Sequence, residues 1–173
     1  GVRNIYQNAF AHYISALVYE LHNEADEAYI DLKKAYDAAP GCRFIQGDLL
    51  RLSTSLRFDD DLERWKALFG PQEKAHPDGI DVFVVFEAGL APSKEQLTIP
   101  IPTASGLFSA AFPVYRFTPS KVLSGRVTAG GSTETTCLVS DTDAIAAKNL
   151  LDRFPILFAK QIARTAIKAA ATR

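Results

Sequence analysis

The stretch NAFAHYISALVYELHNEADEAYIDLKKAYDAAP, residues 8–40, decides how the chain is read. Phe10, Tyr13, Ile14, Leu17 and Leu21 recur at three- and four-residue spacing, which predicts an amphipathic helix. His22-Asn23 interrupts the pattern. Ala25, Ala28, Tyr29, Leu32, Ala35 and Tyr36 then mark one side of a second helix, which Pro40-Gly41 ends. Leu49, Leu52 and Leu56 place a third helix within 44–56. A fourth is expected over 62–69, with Asp59-Asp60-Asp61 supplying its N-cap and first-turn acids and Gly70-Pro71 its end.

Two successive helical hairpins suggest repeats. Residues 9–40 resemble a tetratricopeptide repeat, with Ala16, Tyr19, Ala28, Ala35 and Pro40 at matching spacing. Small residues are needed where the helices cross, because a larger side chain at Ala16 or Ala28 would push them apart. His12 replaces the usual large apolar residue. Asn23 replaces the turn glycine, a change the turn survives because Asn tolerates the left-handed conformation. In such repeats the first helix lines a peptide-binding face. The matching positions are Phe10, Tyr13, Leu17, Glu20 and Leu21, and these form the candidate binding site. Cover by another part of the same chain is the favoured expectation for this face.

The next stretch, 71–140, holds seven of the nine prolines and many β-branched and aromatic residues. DVFVVFE, 81–87, reads as a buried strand. Residues 97–101 are extended, with Pro100 and Pro102 confining them to a sheet edge or a polyproline segment. Residues 107–117 are strand-like but expected to bulge or break at Pro113. The segments 123–128 and 133–139 flank Gly130-Gly131, a hairpin signal. A helix follows from about residue 142, kinked or restarted at Pro155, with Phe154, Phe158, Ile162 and Ala166 as its apolar stripe. Lys160, Arg164 and Lys168 form a polar row. No acid follows Asp152. This helix is expected to dock on the rest of the chain with its basic row in water, a membrane-surface helix being the alternative. The expected fold is α+β: N-terminal tetratricopeptide-like helical hairpins over 1–70, a small, mostly antiparallel β-sheet or sandwich over 71–140, and a long Pro-kinked C-terminal helix over 141–173 packing on both.

Composition excludes several function classes. The chain has 173 residues, 47% of them hydrophobic, and a net charge of -1, which is not the composition of a disordered protein. A pI near 6.3 argues against a nucleic-acid partner. The near-neutral total conceals a gradient of -3, -1 and +3 over 1–70, 71–140 and 141–173. The chain has no Met and begins at Gly1, which is expected for a processed or truncated start.

Catalytic and metal-binding patterns are not expected to carry the function. His12, His22 and His76 share no helical pairing, and His12 is expected to be packed or solvated. Asp59-Asp60-Asp61 lacks the glycine and later glutamate of a calcium loop and reads as helix capping. Cys42 and Cys137 have no metal spacing and are expected as two buried free thiols; the alternative, a disulfide joining the two halves, requires Cα atoms within about 7 Å. No catalytic residue, metal site or cofactor is assigned.

Four segments together carry a wider likeness: residues 8–40, FVVFEAGLAPSKEQLTIPIP (83–102), FPVYRFTPS (112–120), and DTDAIAAKNLLDRFPILFAKQIARTAIKAAA (141–171). They resemble an uncharacterised family of bacterial envelope lipoproteins with tetratricopeptide-like repeats. The most distinctive element is Glu87 to Glu95, in composition a Gly/Pro turn. The resemblance implies a lipoprotein signal before Gly1, continuation beyond the last helix, and a periplasmic, lipid-anchored protein close to the membrane surface. The expected function is a non-enzymatic protein-binding scaffold or adaptor of the cell envelope, its partner another envelope protein. A hydrolase with its site between domains or in a missing C-terminal region is one alternative. A lipid or cell-wall-fragment binder using Phe108, Phe112 and Tyr115 is another.

Overall fold

The computed structural model describes residues 8–70, 82–103 and 106–171, less the side chains of Thr103, Phe108 and Ala169. His76, Pro71, Asp81 and the Phe108 side chain, named above, therefore lie outside the described residues. The fold class is α+β, with helices α1 (Ala9–Leu21), α2 (Ala25–Ala38), α3 (Arg43–Ser55) and α4 (Asp59–Phe69), strands β1 (Ser93–Thr103), β2 (Gly106–Arg116), β3 (Arg126–Ala129) and β4 (Ser132–Thr135), and helix α5 (Thr142–Ala171).

The chain forms two compact units. One joins α1–α4, through Ala88, to 121–141; the other joins 89–120 to α5. The strands form two separate two-stranded antiparallel ladders, β1–β2 and β3–β4, one in each unit. The physical reason lies in the strands themselves. β3 and β4 are only four residues long, and β1 and β2 satisfy each other along eleven paired positions.

In the first unit, Asn8 caps α1 by accepting from the Ala11 amide at 3.3 Å. Asn23 takes φ 63° between α1 and α2, the left-handed turn its short polar side chain permits. Ala16, Ala28 and Ala35 are wholly buried, so small side chains do allow α1 and α2 to approach closely. Leu32, Ile45, Leu49 and Trp65 complete the core. Trp65 stacks on Phe69, meets the Tyr36 ring at its edge, and donates its indole N–H to the Tyr29 hydroxyl at 2.8 Å.

Two expectations about this unit are corrected. The N-cap of α4 is Phe58, with Asp59-Asp60-Asp61 already inside the first turn, where acids suit the helix dipole without a side-chain cap bond. Cys42 and Cys137 are not free thiols but a disulfide, with Cα atoms 5.3 Å apart across 95 residues of sequence. The bridge fixes the segment after β4 to the start of α3, and Cys137 and Val139 pack on the helical core. Gly130 and Gly131 both have positive φ (57° and 87°), as a two-residue hairpin turn between β3 and β4 requires.

The run 82–87 is also corrected. Among the described residues, 82–88 pairs with no strand, and Val82 to Phe86 are all about half exposed or more. A run of this composition is buried only where a partner strand covers it. Here the first unit supplies two local contacts instead: Phe83 meets the Tyr13 ring edge-on at 6.4 Å, and Phe86 lies against Gly125, where a Cβ would come within 3.2 Å of the ring.

The second unit is a hairpin with a helix across one strand. Pro113 does not break β2, which runs unbroken to Arg116. Pro113 pairs with Gln96, and Pro100 and Pro102 with Ser109 and Leu107. All three prolines thus share one register parity, in which the backbone nitrogen points away from the partner strand. None removes a ladder bond, and together they blunt both edges against further strands. The same parity puts Leu97, Ile99, Ala110 and Phe112 on one face and Tyr115 on the other. Phe112 and Tyr115, expected to act together, are therefore on opposite faces.

Helix α5 packs on β2. Phe112, Phe154 and Phe158 form a triangle of mutually stacked rings with centroids 5.9 to 6.2 Å apart, and Gln161 donates to the Ala111 carbonyl. The helix continues as one element through Pro155, whose missing N–H leaves the Leu151 carbonyl without its usual intrahelical donor. The expected apolar stripe divides: Phe154 and Phe158 lean on Phe112, whereas Ile162 and Ala166 face solvent.

Candidate protein-binding site

Helical periodicity sorts the five candidate residues of α1 into two adjacent rows: Tyr13 with Glu20, and Phe10 with Leu17 and Leu21. The first row faces α3. The Tyr13 hydroxyl donates to Asp48 at 2.9 Å. Arg51 closes the cluster, giving two hydrogen bonds to the Glu20 carboxylate at 2.7 and 2.8 Å and two to Asp48 at 3.1 and 3.3 Å. Glu20 and Arg51 meet as planar forks, the geometry in which guanidinium and carboxylate bind most strongly. The second row is free of this network. Phe10 and Leu17 are half-buried, and Leu21 is 82% exposed.

The electrostatics fix this cluster in one state. Burial pushes the Tyr13 hydroxyl well above its ordinary range, and the neighbouring Asp48 charge and hydrogen bond push it further. Burial also raises the Asp48 carboxyl, against the opposing pull of Arg51 and the Tyr13 bond. The Glu20 hydrogen bonds lead in holding Arg51 protonated. Tyr13 is thus a fixed donor and Arg51 a fixed cation.

Two further polar clusters brace the helices. Asp31, nearly buried between α1 and α2, accepts from Ser15 Oγ at 2.6 Å and Lys34 Nζ at 2.8 Å. His12 Nδ1 packs 3.5 Å from the same carboxylate. Burial alone would raise the Asp31 carboxyl, but the bonds from Lys34 and Ser15 and the nearby charges outweigh it and hold it below the ordinary value.

At the other end, Tyr29 donates to Asp61 at 2.7 Å, and Lys33 lies 3.7 Å from that carboxylate. Burial, with the Asp61 bond, pushes the Tyr29 hydroxyl up to about 12. Tyr29, Lys33, Arg57, Phe58 and Asp59 to Asp61 line an open depression there. Among the described residues, no group of three His, Cys, Asp or Glu side chains is placed to hold a metal ion.

Sequence reasoning found Tyr13 and Glu20 but missed Asp48, Arg51 and Phe83. The available signal was the i,i+3 spacing of Asp48 and Arg51 on the first helix of the second hairpin, which lines the same face as α1. No family model, curated protein or solved structure matches the chain.

Proposed function

We propose that this protein is a non-enzymatic protein-binding scaffold or adaptor of the bacterial cell envelope. The observation that carries the reading is the α1–α3 face. Its polar margin is locked by Tyr13, Asp48, Arg51 and Glu20, while Leu21 and the apolar run Val82–Phe86, which meets the face at Tyr13, stay exposed beside it. Exposed apolar side chains beside a rim of ordered polar groups are the anatomy of a protein interface. The acids near it are committed to structural bonds: Glu20 and Asp48 to Arg51, Asp31 to Ser15 and Lys34. The Cys42–Cys137 disulfide supports the envelope placement, since such bonds persist in oxidising compartments such as the periplasm.

The test is site-specific photo-crosslinking in envelope preparations. A crosslinker at Leu17 or Leu21 is expected to trap one discrete partner, and one at Ile30, exposed on α2, is not. Leu21→Asp is expected to weaken that capture at least about tenfold without moving the melting temperature, because Leu21 has no core contacts to lose. Equal crosslinking from Ile30, or capture indifferent to Leu21→Asp, would remove the reading.

A further inference from the structure

Helix α5 has a second apolar face that its own unit does not use. At 3.6 residues per turn, Phe154, Phe158, Gln161 and Thr165 lie on the side packed against β2. From Pro155 onward, the arc that runs from beside Phe158 round to the far side, a little under half the circumference, carries Ile156, Ala159, Ile162, Ala163 and Ile167; Asp152 and Lys148, which pair with each other, lie on the same arc at its N-terminal end. Its large side chains are exposed by 60% at Ile156, 52% at Ile162 and 68% at Ile167. A water-facing arc is normally polar, and a helix apolar on both sides is one whose outer side is also covered.

The charge pattern says by what. Arg153, Lys160 and Arg164 run along one margin of the outer arc, between it and the hairpin side, and after Asp152 the helix contains no acid. With the arc facing down, this row lies at the level where an aqueous boundary would be, and β1–β2 lies above it. The arc is also convex, belonging to a single helix with no second wall to make a groove. A convex apolar strip with cations at its waterline matches a flat, deformable, negatively charged surface.

We propose that α5 lies flat on an anionic lipid membrane. Its outer arc enters the headgroup–acyl boundary, and Arg153, Lys160 and Arg164 engage lipid phosphates. Among the described residues no helix is long and apolar enough to cross a membrane, so the association is peripheral. The inference does not depend on the protein-binding face of α1–α3.

The whole chain would be sedimented with vesicles of phosphatidylcholine alone and with vesicles containing about one-third phosphatidylglycerol. Binding is expected to the anionic vesicles only, and is expected to be released by about 0.5 M salt. Lys160→Glu with Arg164→Glu should lower partitioning at least about 25-fold, at roughly fivefold per basic residue removed. Ile156→Asp with Ile167→Asp should abolish it. Both pairs are on the exposed arc or its margin, so circular dichroism is expected to be unchanged, and the salt titration tests the wild-type chain with no substitution. Absence of binding, equal binding to neutral vesicles, or indifference to the isoleucine pair would overturn the proposal. So would lipid-free self-association that the isoleucine pair abolishes, which would assign the arc to a second copy of the chain.

Discussion

The two compact units solve the burial problem to different degrees. Among the described residues, eleven buried apolar side chains belong to the helical unit, and two, Ala110 and Phe112, to the hairpin–helix unit. Four helices packed in sequence each find a neighbour for the inner face, and a disulfide holds the last segment against them. A two-stranded ladder has no such economy. α5 packs on β2, while Leu97 and Ile99 of β1 on the same face remain about half exposed. Two strands and one helix enclose too little apolar surface for much independent stability. The helical unit thus has a finished core beneath its proposed binding surface. The hairpin–helix unit carries its small core on one side of α5 and the proposed membrane surface on another side of the same helix.

The sharpest way to break this contrast is to excavate one large aromatic from each unit. Trp65→Ala removes a buried ring that stacks on Phe69 and donates to Tyr29, and should cost about 3–5 kcal/mol. Phe112→Ala should cost less, about 2–3 kcal/mol, because the flanking Phe154 and Phe158 are already part-exposed and water can enter the space. Native-state hydrogen exchange would assign each loss. Trp65→Ala is expected to deprotect α2–α4, and Phe112→Ala to deprotect β1, β2 and α5. A uniform loss of protection from either substitution would mean that the units unfold as one.

The disulfide gives the next largest effect. Cys42→Ser with Cys137→Ser opens a loop of 95 residues and is expected to cost about 2–4 kcal/mol. The loss should appear first as exchange in β3–β4, the element the bridge ties to α3. Protection in α1 and α2, whose alanine crossing does not involve the bridge, should fall least. An oxidised chain that behaves like the double variant would show that the helical core holds 121–141 without help.

What the sequence revealed follows the range of the interactions concerned. Ala16 against Ala28, the left-handed turn at Asn23 and the Gly130-Gly131 hairpin are all settled within a dozen residues or fewer, and each was readable from spacing. The environment of 82–87 was not, because an apolar run is a buried strand only if a partner lies beside it, and that partner must come from elsewhere in the chain. The pairing of Cys42 with Cys137 and of Glu20 with Arg51 failed for the same reason: their separations of 95 and 31 residues are closed by the fold and leave no periodic trace. Pro113 teaches the opposite lesson. Its strand was legible, but its tolerance depended on register parity with Pro100 and Pro102, and parity is known only once the partner is known.

The finest distinction lies within the helical unit, between Asp31 and Asp48. Asp31 is held below its ordinary value, so its stabilising contribution is fully present above the unfolded carboxylate range, near 3.9, and is lost as pH falls through the folded value. Asp48 is held above, so ionising it weakens the fold, and that cost is relieved as pH falls through its raised value. Asp31→Asn should therefore lower stability at pH 7 by on the order of 1 kcal/mol, with the deficit shrinking below about pH 4. Asp48→Asn should show a smaller change at pH 7, and its position relative to wild type should worsen on acidification as wild type regains what ionisation took away. Urea unfolding of the three proteins between pH 3 and pH 7 separates the two slopes. If both variants converge on wild type from below as the solution is acidified, Asp48 is an ordinary paired carboxylate. The polar margin of the α1–α3 face would then be braced in the same way as the α1–α2 seam, with no extra stability given up to keep a charged cluster half-buried beside a binding surface.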